Sequence, residues 1–304
     1  MVDLAMVIVS YNVRDILRRC LDSIERSVTG QVVDVWVVDS GSADGTPAMI
    51  REQYPWINLI ESENVGFSRG NNLALRQILA RSEPSGIPRF VLLLNPDTEL
   101  PPGAVTRMVQ FMDSHPEAGA AGPKLIRQDG SLDLACRRSF PTPGVSFYHF
   151  LGLGRLFPRS RLFGRYNLTY LDPDGITEVD SVVGAFMLVR GEILRTVGLL
   201  DEAFFMYGED LDWALRIKRA GWKILYNGAV SVFHLKRASS RQRSTQSLIA
   251  FYEAMLIFFQ KHYAGETAVP LRWLVVLAIY LRAAIALAQN GSSPRELARL
   301  HAAH

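Results

Sequence analysis

The sequence predicts an α/β fold whose first half is a Rossmann-like, doubly wound and mostly parallel sheet. Short apolar runs alternate with amphipathic stretches over roughly the first 115 residues, and strands that are apolar throughout are typical of parallel sheets covered on both faces. Polar residues follow these runs at their carboxyl ends, where open α/β sheets bind ligands. With 304 residues, 48% of them hydrophobic, the chain holds core enough for one large domain or two small ones.

The first half divides into alternating strands and helices. Its first amphipathic stretch places Ile16, Cys20 and Ile24 on one face, which is the helical period. The strands are predicted at 5–12, 33–41, 57–62 and 89–95, and the helices at 13–27, 46–54, 68–81 and 103–115.

The second half is mixed. Residues 137–175 are rich in arginine, proline, glycine and aromatics, so we expect a long excursion that serves function or moves. A strand at 179–190, a helix at 209–221 and two short strands at 222–227 and 230–235 follow, and the chain reads as helical from about residue 242. No linker separates the halves, so we expect a catalytic domain at 1–240 and a helical C-terminal region at 241–304.

Charge and cysteine content narrow the ligand classes. The net charge is only +3, but two basic clusters favour a phosphate-bearing ligand or an anionic membrane surface over nucleic acid. The two cysteines are far apart, which argues against a disulfide framework or a zinc site and favours a reducing compartment. The clusters are Arg137, Arg138, Arg155, Arg159, Arg161 and Arg165, and Lys236, Arg237, Arg241 and Arg243.

Both ends of the chain bear on localisation. The N-terminus lacks the basic segment of a signal peptide, so we expect it to stay in the cytoplasm. Apolar runs at 273–281 and 283–288 are interrupted by Arg272 and Arg282, and each is shorter than the ~20 residues of a spanning helix. Two interpretations remain open: an interfacial helix at a membrane surface, or a helix packed on its own domain or on a partner subunit.

Polar residues and glycines gather at the carboxyl ends of the predicted strands. Asp39 has the chemistry to bind a nucleobase or ribose, although an Asx turn with a helix cap explains it equally. The stretch 64–72 offers close backbone approach, a helix N-terminus and the charge of Arg69 for a phosphate. The candidate ligand-binding residues are Ser10, Tyr11, Asn12, Asp39, Ser40, Gly41, Asn64, Gly66, Arg69, Gly70, Asn71 and Asn95.

Asp97 ends the fourth predicted strand in an Asn-Pro-Asp turn. A carboxylate there suits Mg²⁺ or Mn²⁺, which prefer oxygen ligands and share them with diphosphates. An ordinary turn explains the same residues. His234, at the end of an apolar run, either has a structural role or completes a metal site with Asp97 and diphosphate oxygens.

Three acidic residues open the predicted helix at 209–221. Acidic groups in a first turn are favoured by the helix dipole, which explains Glu209, Asp210 and Asp212 without any further role. The functional interpretation makes Asp210 a general base with Glu209 as its hydrogen-bonding or charge partner.

Taken together and in this order, the motifs resemble glycosyltransferase family 2, the inverting and metal-dependent GT-A enzymes, and in particular its rhamnosyltransferase-like branch. The matching stretches span roughly residues 5 to 235. They are VIVSYN, VVDSGSADGT, ENVGFSRGNN, LLLNPDTEL, VVGAFMLVRGE, GLLDEAFFMYGEDLDWALRIKRAGW and VFH.

The resemblance implies a GT-A fold, a nucleotide-diphosphate sugar donor and a single displacement that inverts the anomeric centre. Asp39 matches the base-binding residue, and Asp97 matches the metal-holding carboxylate of the family's DXD motif. Asp210 matches the catalytic base, beside Glu209, and His234 matches a histidine that joins the metal. Asn64, Gly66 and Arg69 fall where the donor is cradled. Asn95 departs from the family pattern, because the first DXD aspartate is an amide here.

The resemblance also implies substrates. We expect dTDP-rhamnose as donor, with a UDP-hexose as the alternative, and a lipid-diphosphate-linked saccharide as acceptor in cell-surface polysaccharide assembly. The enzyme would then be cytoplasmic or peripheral on the inner membrane's cytoplasmic face, without a nucleic-acid partner. A nucleotidyltransferase would carry a basic Gly-rich loop after the first strand, and VSYNVRD does not supply one. A non-catalytic nucleotide-sugar-binding subunit would be expected to have lost the base, yet Glu209 and Asp210 are present. The oligomeric state stays open.

Overall fold

The computed structural model describes residues 2–82, 86–235 and 245–290, and within them a nine-stranded sheet is flanked by helices. The strands are β1 (Leu4–Ser10), β2 (Val33–Asp39), β3 (Asn58–Glu61), β4 (Phe90–Leu94), β5 (Thr98–Glu99), β6 (Ala118–Ile126), β7 (Ile176–Val179), β8 (Phe186–Arg190) and β9 (Lys223–His234). The helices are α1 (Arg14–Ser27), α2 (Thr46–Gln53), α3 (Phe67–Arg81), α4 (Ala104–Ser114), α5 (Pro143–Phe150), α6 (Leu153–Leu156), α7 (Ile193–Thr196), α8 (Glu209–Arg219), α9 (Thr245–His262) and α10 (Val269–Gln289).

The first four strands form the parallel part of the sheet. The strand order is β3-β2-β1-β4-β8-β6-β9-β5, with β7 paired to β9. Ser10 is in register with Asp39, and Asp39 with Glu61. The parallel register therefore brings the ends of these strands to one side, here called the carboxyl edge and comprising residues 10–12, 39–45, 61–66 and 95–97.

The rest of the sheet is mixed and closes around that edge. β8 runs antiparallel to β4 and to β6, while β6 and β9 are parallel. The core consists of the strands with the inner faces of the helices, and β4 is buried along its whole length. The short β5 pairs with the end of β9, so that Thr98 lies opposite His234.

Three strand predictions were wrong. The stretch 179–190 is not one strand, because β7 ends at Val179 and β8 begins at Phe186. The two short strands at 222–227 and 230–235 are one, β9, with a register shift against β6 between Pro123 and Lys124.

β6 was not predicted, since AGAAGPKLI lacks β-branched residues before Ile126. Its small residues have a packing reason. A Cβ at Gly119 would lie 2.7 Å from Trp222 Cβ, and one at Gly122 2.8 Å from Val182 Cβ.

The excursion at 137–175 is more ordered than its weak periodicity predicted. It contains α5 and α6, and α5 begins with Pro143 after Thr142, whose hydroxyl accepts a hydrogen bond from Val145 N. Proline at the first helical position and a threonine cap are both favourable helix starts. Several large apolar side chains of this segment are exposed: Phe147, Leu151, Leu156, Phe157 and Leu162.

The two C-terminal helices pack as a hairpin against the sheet domain. A cluster of Phe204, Leu211, Leu215, Ala254 and Phe258 joins α9 to α8 and its preceding loop. A second cluster, which includes Leu256 of α9 and Ala283 of α10, joins the two helices. The predicted basic cluster at 236–243 lies outside the described residues, and the domain boundary at 240 stays a prediction.

α10 is longer than its interrupted apolar runs predicted. It spans 21 residues and carries Arg272 and Arg282 within one continuous helix. Of the helices in the described ranges, it alone is long and apolar enough to cross a membrane, and only 17% of its most apolar 18-residue window is buried. The buried core helices of soluble proteins share this length and composition.

Candidate functional site

Buried polar atoms without partners mark the carboxyl edge at β1 and β2. Ser40 N donates to Ser10 O at 2.8 Å, and Asp39 Oδ2 accepts from Ser42 N at 2.8 Å. Asp39 Oδ1 and the hydroxyls of Ser10 and Ser40 are buried without a hydrogen-bond partner among the described residues. Unsatisfied buried polar groups are costly, so these atoms suit the polar groups of a ligand.

Asn12 supports the loop after β2 and is itself held in place. Its φ is 51°, its Oδ1 accepts from Ala43 N at 2.8 Å, and its N donates to Ser42 Oγ at 2.8 Å. Tyr11 beside it is exposed. Of the two predicted binding residues at this turn, Asn12 holds the loop after β2 in place and Tyr11 exposes its ring to solvent.

Gly66 is required by close backbone approach. Its φ is +87°, and a Cβ there would lie 2.5 Å from Phe205 O, the atom that accepts a hydrogen bond from Phe67 N at 2.7 Å. Asn64 Oδ1 accepts from Gly66 N at 3.2 Å. The turn before α3 is thus fastened to the loop before α8.

Other predicted residues of this segment have local roles. Gly70 packs on Val9, with a built Cβ 3.0 Å from a Val9 methyl, and Asn71 Nδ2 donates to Phe67 O. Gly41 lies beside the backbone of Ser62. The exposed Arg69 has its Nε 3.6 Å from Glu202 Oε2.

Asp97 and His234 meet at the end of β4. His234 Nε2 lies 3.2 Å from Asp97 Oδ1, and His234 Nδ1 lies 2.9 Å from Asp133 Oδ2. His234 is buried. Burial acts to lower the pKa of His234, but the hydrogen bonds with Asp133 and Asp97 outweigh it and raise that pKa above its ordinary value.

This arrangement fits one side of a divalent-cation site. A ligating histidine usually has its second ring nitrogen held by a carboxylate, as Asp133 holds His234. Within the described ranges, no cluster of three or more His, Cys, Asp or Glu side chains suited to a metal occurs. Asp97 and His234 would therefore hold a cation only together with ligand oxygens, as Mg²⁺ and Mn²⁺ are commonly held.

Asp210 is a buried carboxylate with three donors. Its Oδ2 accepts from Arg138 Nη2 at 2.6 Å and from Gly184 N at 3.1 Å, and its Oδ1 accepts from Leu211 N at 2.7 Å. Glu209, next to it, is also buried, and its Oε2 has no hydrogen-bond partner among the described residues. Burial first, and then the charge of Asp210, raise the pKa of Glu209 to about 8.

Asp212, two residues after Asp210 in the first turn, belongs to a different cluster. It accepts from His262 Nε2 at 2.7 Å, from Lys261 Nζ at 2.6 Å and from Arg216 Nε at 2.8 Å. Burial acts to raise the pKa of Asp212, and these three partners lower it to about 2. The cluster ties the end of α9 to the start of α8.

A chain of contacts joins these parts into one site. Asn95 N donates to Ala185 O at 3.0 Å, and the neighbouring Gly184 lies between Phe67 and Asp210. A Cβ at Gly184 would be 3.5 Å from the Phe67 ring and 3.8 Å from Asp210 Cβ. The turn after β4, the start of α3 and the start of α8 therefore meet beyond the carboxyl ends of the strands.

Sequence reasoning missed three residues of this site. Asp133 lies in a loop and is recognisable only from its contact with His234. Arg138 was noted only as part of a basic cluster, although its side chain is bound to Asp210. Gly184 matches a family stretch but was given no role.

Comparison with solved structures supports the fold. A mannosyltransferase from Pyrobaculum calidifontis, solved with GDP-mannose and Mn²⁺, superposes with a TM-score of 0.57 at 20% identity over 99% of this chain and 78% of that one. GalNAc-T7, solved with UDP, GalNAc and Mn²⁺, gives a TM-score of 0.57 at 14% identity over 87% of this chain and 51% of that one. The predicted GT-A architecture is confirmed, and both neighbours hold a divalent cation.

Sequence comparison establishes the family. The chain is 31% identical over 283 residues to an N-acetylglucosaminyl-diphospho-decaprenol L-rhamnosyltransferase from Mycobacterium tuberculosis, covering 92% of this chain and 91% of that one. It is 24% identical over 238 residues to the rhamnosyltransferase WbbL of Escherichia coli strain K12, covering 78% of this chain and 84% of that one. The profile of the family "Glycosyl transferase family 2" matches residues 5–173. The chain belongs to glycosyltransferase family 2, and it is a glycosyltransferase.

Proposed function

We propose that this enzyme transfers L-rhamnose from dTDP-rhamnose to a hydroxyl of a lipid-diphosphate-linked saccharide, with inversion at the anomeric carbon. Two relatives that span most of the chain are rhamnosyltransferases, and one of them is named for a diphospho-decaprenol acceptor. The structural observation that carries the proposal is Asp210, a buried carboxylate held by Arg138 and Gly184 where the starts of α3 and α8 meet.

In the proposed reaction Asp210 is the general base. The acceptor oxygen forms a bond to the anomeric carbon as its proton passes to Asp210. The bond from that carbon to the diphosphate oxygen breaks, and its electron pair leaves with the nucleoside diphosphate. A general base contributes typically ~10²–10⁴-fold to rate. Burial, and then the charge of Asp210, raise the pKa of Glu209, so Glu209 binds a proton more readily than an exposed glutamate does.

The donor is proposed to occupy the edge at β1 and β2. Asp39 Oδ1 and the hydroxyls of Ser10 and Ser40 supply unsatisfied acceptors and donors for its base and ribose. Gly66, Gly70 and Asn71 shape the adjoining wall, and Arg69 would have to leave Glu202 to reach a phosphate. Asp97 and His234 would hold Mg²⁺ or Mn²⁺, which neutralises charge on the leaving diphosphate when bound.

The test is turnover with defined substrates. The assay combines purified enzyme, Mn²⁺ or Mg²⁺, dTDP-rhamnose and a synthetic polyprenyl-diphosphate GlcNAc acceptor. It should release dTDP and give a product whose anomeric configuration is inverted relative to that of the donor. UDP-hexoses are assayed in parallel, because a relative from Haloferax volcanii is named a hexosyltransferase. Turnover of UDP-hexose in preference to dTDP-rhamnose would overturn the rhamnose assignment.

Asp210→Asn tests the base. We expect it to fold, to bind the donor and to lose about 10²–10⁴-fold in transfer rate. Asp174→Asn is the matched control, because Asp174 is an exposed carboxylate that forms an ion pair with Lys124. Near wild-type transfer by Asp210→Asn would exclude Asp210 as the base.

We further propose that α10 lies on the cytoplasmic face of an anionic membrane. Its exposed face carries Val269, Leu271, Trp273, Leu274, Leu277, Leu281 and Ile285. Arg282 stacks on Phe150 of α5 at 5.5 Å, which joins this face to the aromatic and arginine-rich excursion. Because the other face of α10 packs on α9, lipid cannot surround the helix as it surrounds a spanning one.

Vesicle flotation tests this placement. The enzyme should float with vesicles containing phosphatidylglycerol and much less with neutral ones, and Leu274→Glu with Leu277→Glu should abolish flotation. Val32→Glu is the control, because Val32 is an equally exposed apolar residue remote in sequence from α10. Undiminished flotation of the double variant would contradict the proposal.

A further inference from the structure

Arg138 stands out because a buried guanidinium is directed at the proposed base. Its side chain is nearly buried, and Nη2 donates to Asp210 Oδ2 at 2.6 Å and lies 3.4 Å from Val182 O. Buried charges are tolerated in pairs, and a charge-assisted bond to a carboxylate is stronger and more directional than a neutral one. The pair therefore fixes the position of Asp210 as well as its charge.

The backbone around Arg138 makes that position rigid. Arg138 N donates to Ser181 O at 2.9 Å, and Arg138 O accepts from Asp180 N and Ser181 N. The following residues are Val182, whose carbonyl contacts the guanidinium, and Gly184, whose N–H is the second donor to Asp210 Oδ2. One short bridge between chain segments thus supplies both groups that hold this oxygen.

A second side chain lies near the guanidinium. Tyr166 interacts electrostatically with Arg138, as Asp210 does. Tyr166 is anchored by its own carbonyl, which accepts from Ser139 N at 2.9 Å, and by its ring, which packs on His149 at 4.4 Å. The aromatic excursion therefore reaches the proposed base through Tyr166 and Arg138.

The two oxygens of Asp210 are occupied unequally. Oδ2 accepts two hydrogen bonds, whereas Oδ1 accepts one, from Leu211 N. A carboxylate offers about four acceptor positions, so Oδ1 keeps more unused hydrogen-bonding capacity than Oδ2. Geometry thus selects Oδ1 as the oxygen available to an acceptor proton.

We propose that Arg138 is a positioning residue that holds Asp210 by Oδ2 and presents Oδ1 to the acceptor hydroxyl. This inference rests on the proposed role of Asp210 as the base. The charged groups near Asp210 agree with it. Burial and the charge of Asp210 raise the pKa of Glu209 on the same turn, while the charge of Asp212 is matched by His262, Lys261 and Arg216.

The experiment compares Arg138→Gln, Arg138→Lys and Tyr166→Phe with the wild type over pH 5 to 9. Arg138→Gln removes the charge-assisted hydrogen bond to Asp210 Oδ2, so it should lower kcat by about 10–100-fold at neutral pH and move the acidic limb of the kcat profile upward by about one pH unit. Arg138→Lys should return the acidic limb to its wild-type pH but recover only part of the wild-type kcat. Tyr166→Phe should lower kcat several-fold without shifting the acidic limb of the kcat profile.

Donor affinity and a neighbouring variant separate positioning from folding. The Kd for dTDP-rhamnose, measured with Mn²⁺, should change less than twofold in all three variants. Arg137→Gln is the matched control, because Arg137 is also buried but bonds to the carbonyls of Leu171 and Asp172. It should leave the pH profile in place. If Arg138→Gln is unstable, Arg138→Lys and Tyr166→Phe still test the kcat effect.

The outcomes distinguish the two proposals. An inactive Asp210→Asn together with Arg138 variants of wild-type kcat and pH profile would overturn the positioning role alone. An active Asp210→Asn would overturn the base assignment itself. Loss of stability in Arg138→Gln with a wild-type pH profile would show that Arg138 is merely structural.

Discussion

Buried polar groups differ in their hydrogen bonding between two regions of the molecule. The regions are the carboxyl edge at β1 and β2 and the buried charge clusters around α8 and β9. At the edge, Asp39 Oδ1 and two serine hydroxyls are buried without partners among the described residues. In the clusters, Asp210, Asp212 and Asp133 are matched by cationic or N–H donors. The edge at β1 and β2 therefore keeps polar atoms that are unpaired among the described residues, whereas the carboxylates of the clusters, apart from Glu209, are held by partners within the chain.

The largest effect should come from Asp97→Ala, which removes the carboxylate at the carboxyl edge that lies 3.2 Å from His234 Nε2. Loss of a supporting group costs about 10–100-fold in metal affinity, so loss of a direct ligand should weaken metal-dependent donor binding by at least ~100-fold. Donor titration calorimetry with and without EDTA measures this. Equal donor affinity with and without the metal in the wild type would contradict a role for a metal at Asp97 and His234 in donor binding.

Asp133→Asn should follow, with about 10–100-fold weaker Mn²⁺ binding, because it releases the ring of His234. The matched control is Asp129→Asn, a surface carboxylate of the same loop that bonds to Ser131. The readout is Mn²⁺ affinity by electron paramagnetic resonance in the presence of donor. Equal Mn²⁺ affinity for Asp133→Asn and the control would mean that Asp133 does not act on the metal.

Asp212→Asn probes the cluster that binds α9 to α8, and its readout is stability. The pKa of Asp212 is lowered from 3.8 to about 2, so its ionisation contributes roughly 2 kcal/mol to the free energy of unfolding. Because the folded-state pKa is the lower one, that stability is fully present above pH 4 and is lost as pH falls toward 2.

Urea unfolding of Asp212→Asn at pH 7 measures the effect, and an acid titration of the wild type locates the window. A double variant with His262→Gln tests the coupling, since partners in one cluster should give non-additive losses. Additive losses, or a wild-type stability for Asp212→Asn, would contradict the role assigned to the cluster.

The smallest effect is expected at the edge. Asp39→Asn should weaken donor binding by about tenfold, as for one lost hydrogen bond to a charged group, and should leave stability near that of the wild type. Glu63→Gln, an exposed acid beside Asn64, is the control. A large loss of stability in Asp39→Asn would erase the distinction between edge and clusters, because it would make Asp39 a structural group.

The sequence predicts the elements whose residues carry a clear period. β1 to β4 and α8 lie within a few residues of their expected bounds, because continuous apolar runs and a glycine at the helix end are local properties. β6 was not predicted, because Gly119 and Gly122 are required by close contacts with Trp222 and Val182, which no local pattern encodes. β9 was split at Asn227 and Gly228 because a turn-forming pair lies inside a long strand.

The site is predictable to a lesser extent. Glu209, Asp210, Asp97 and His234 stood out because motif and position along the chain identify them. Asp133 and Arg138 did not, since each acts only through a partner 101 or 72 residues away. Asn12 and Asn71 prove to make backbone contacts, which is a role that a binding motif cannot distinguish from ligand contact.

The hairpin of α9 and α10 has a consequence for how acceptor would be found. α9 separates the exposed face of α10 from the helix that carries Asp210, and packed helix axes lie about 8–10 Å apart. Should α10 rest on the bilayer as proposed, the base would sit within a short reach of the headgroups, where a diphosphate-linked sugar resides. The search for acceptor then becomes a two-dimensional one along the membrane, and the effective concentration of acceptor rises without any tighter contact to it.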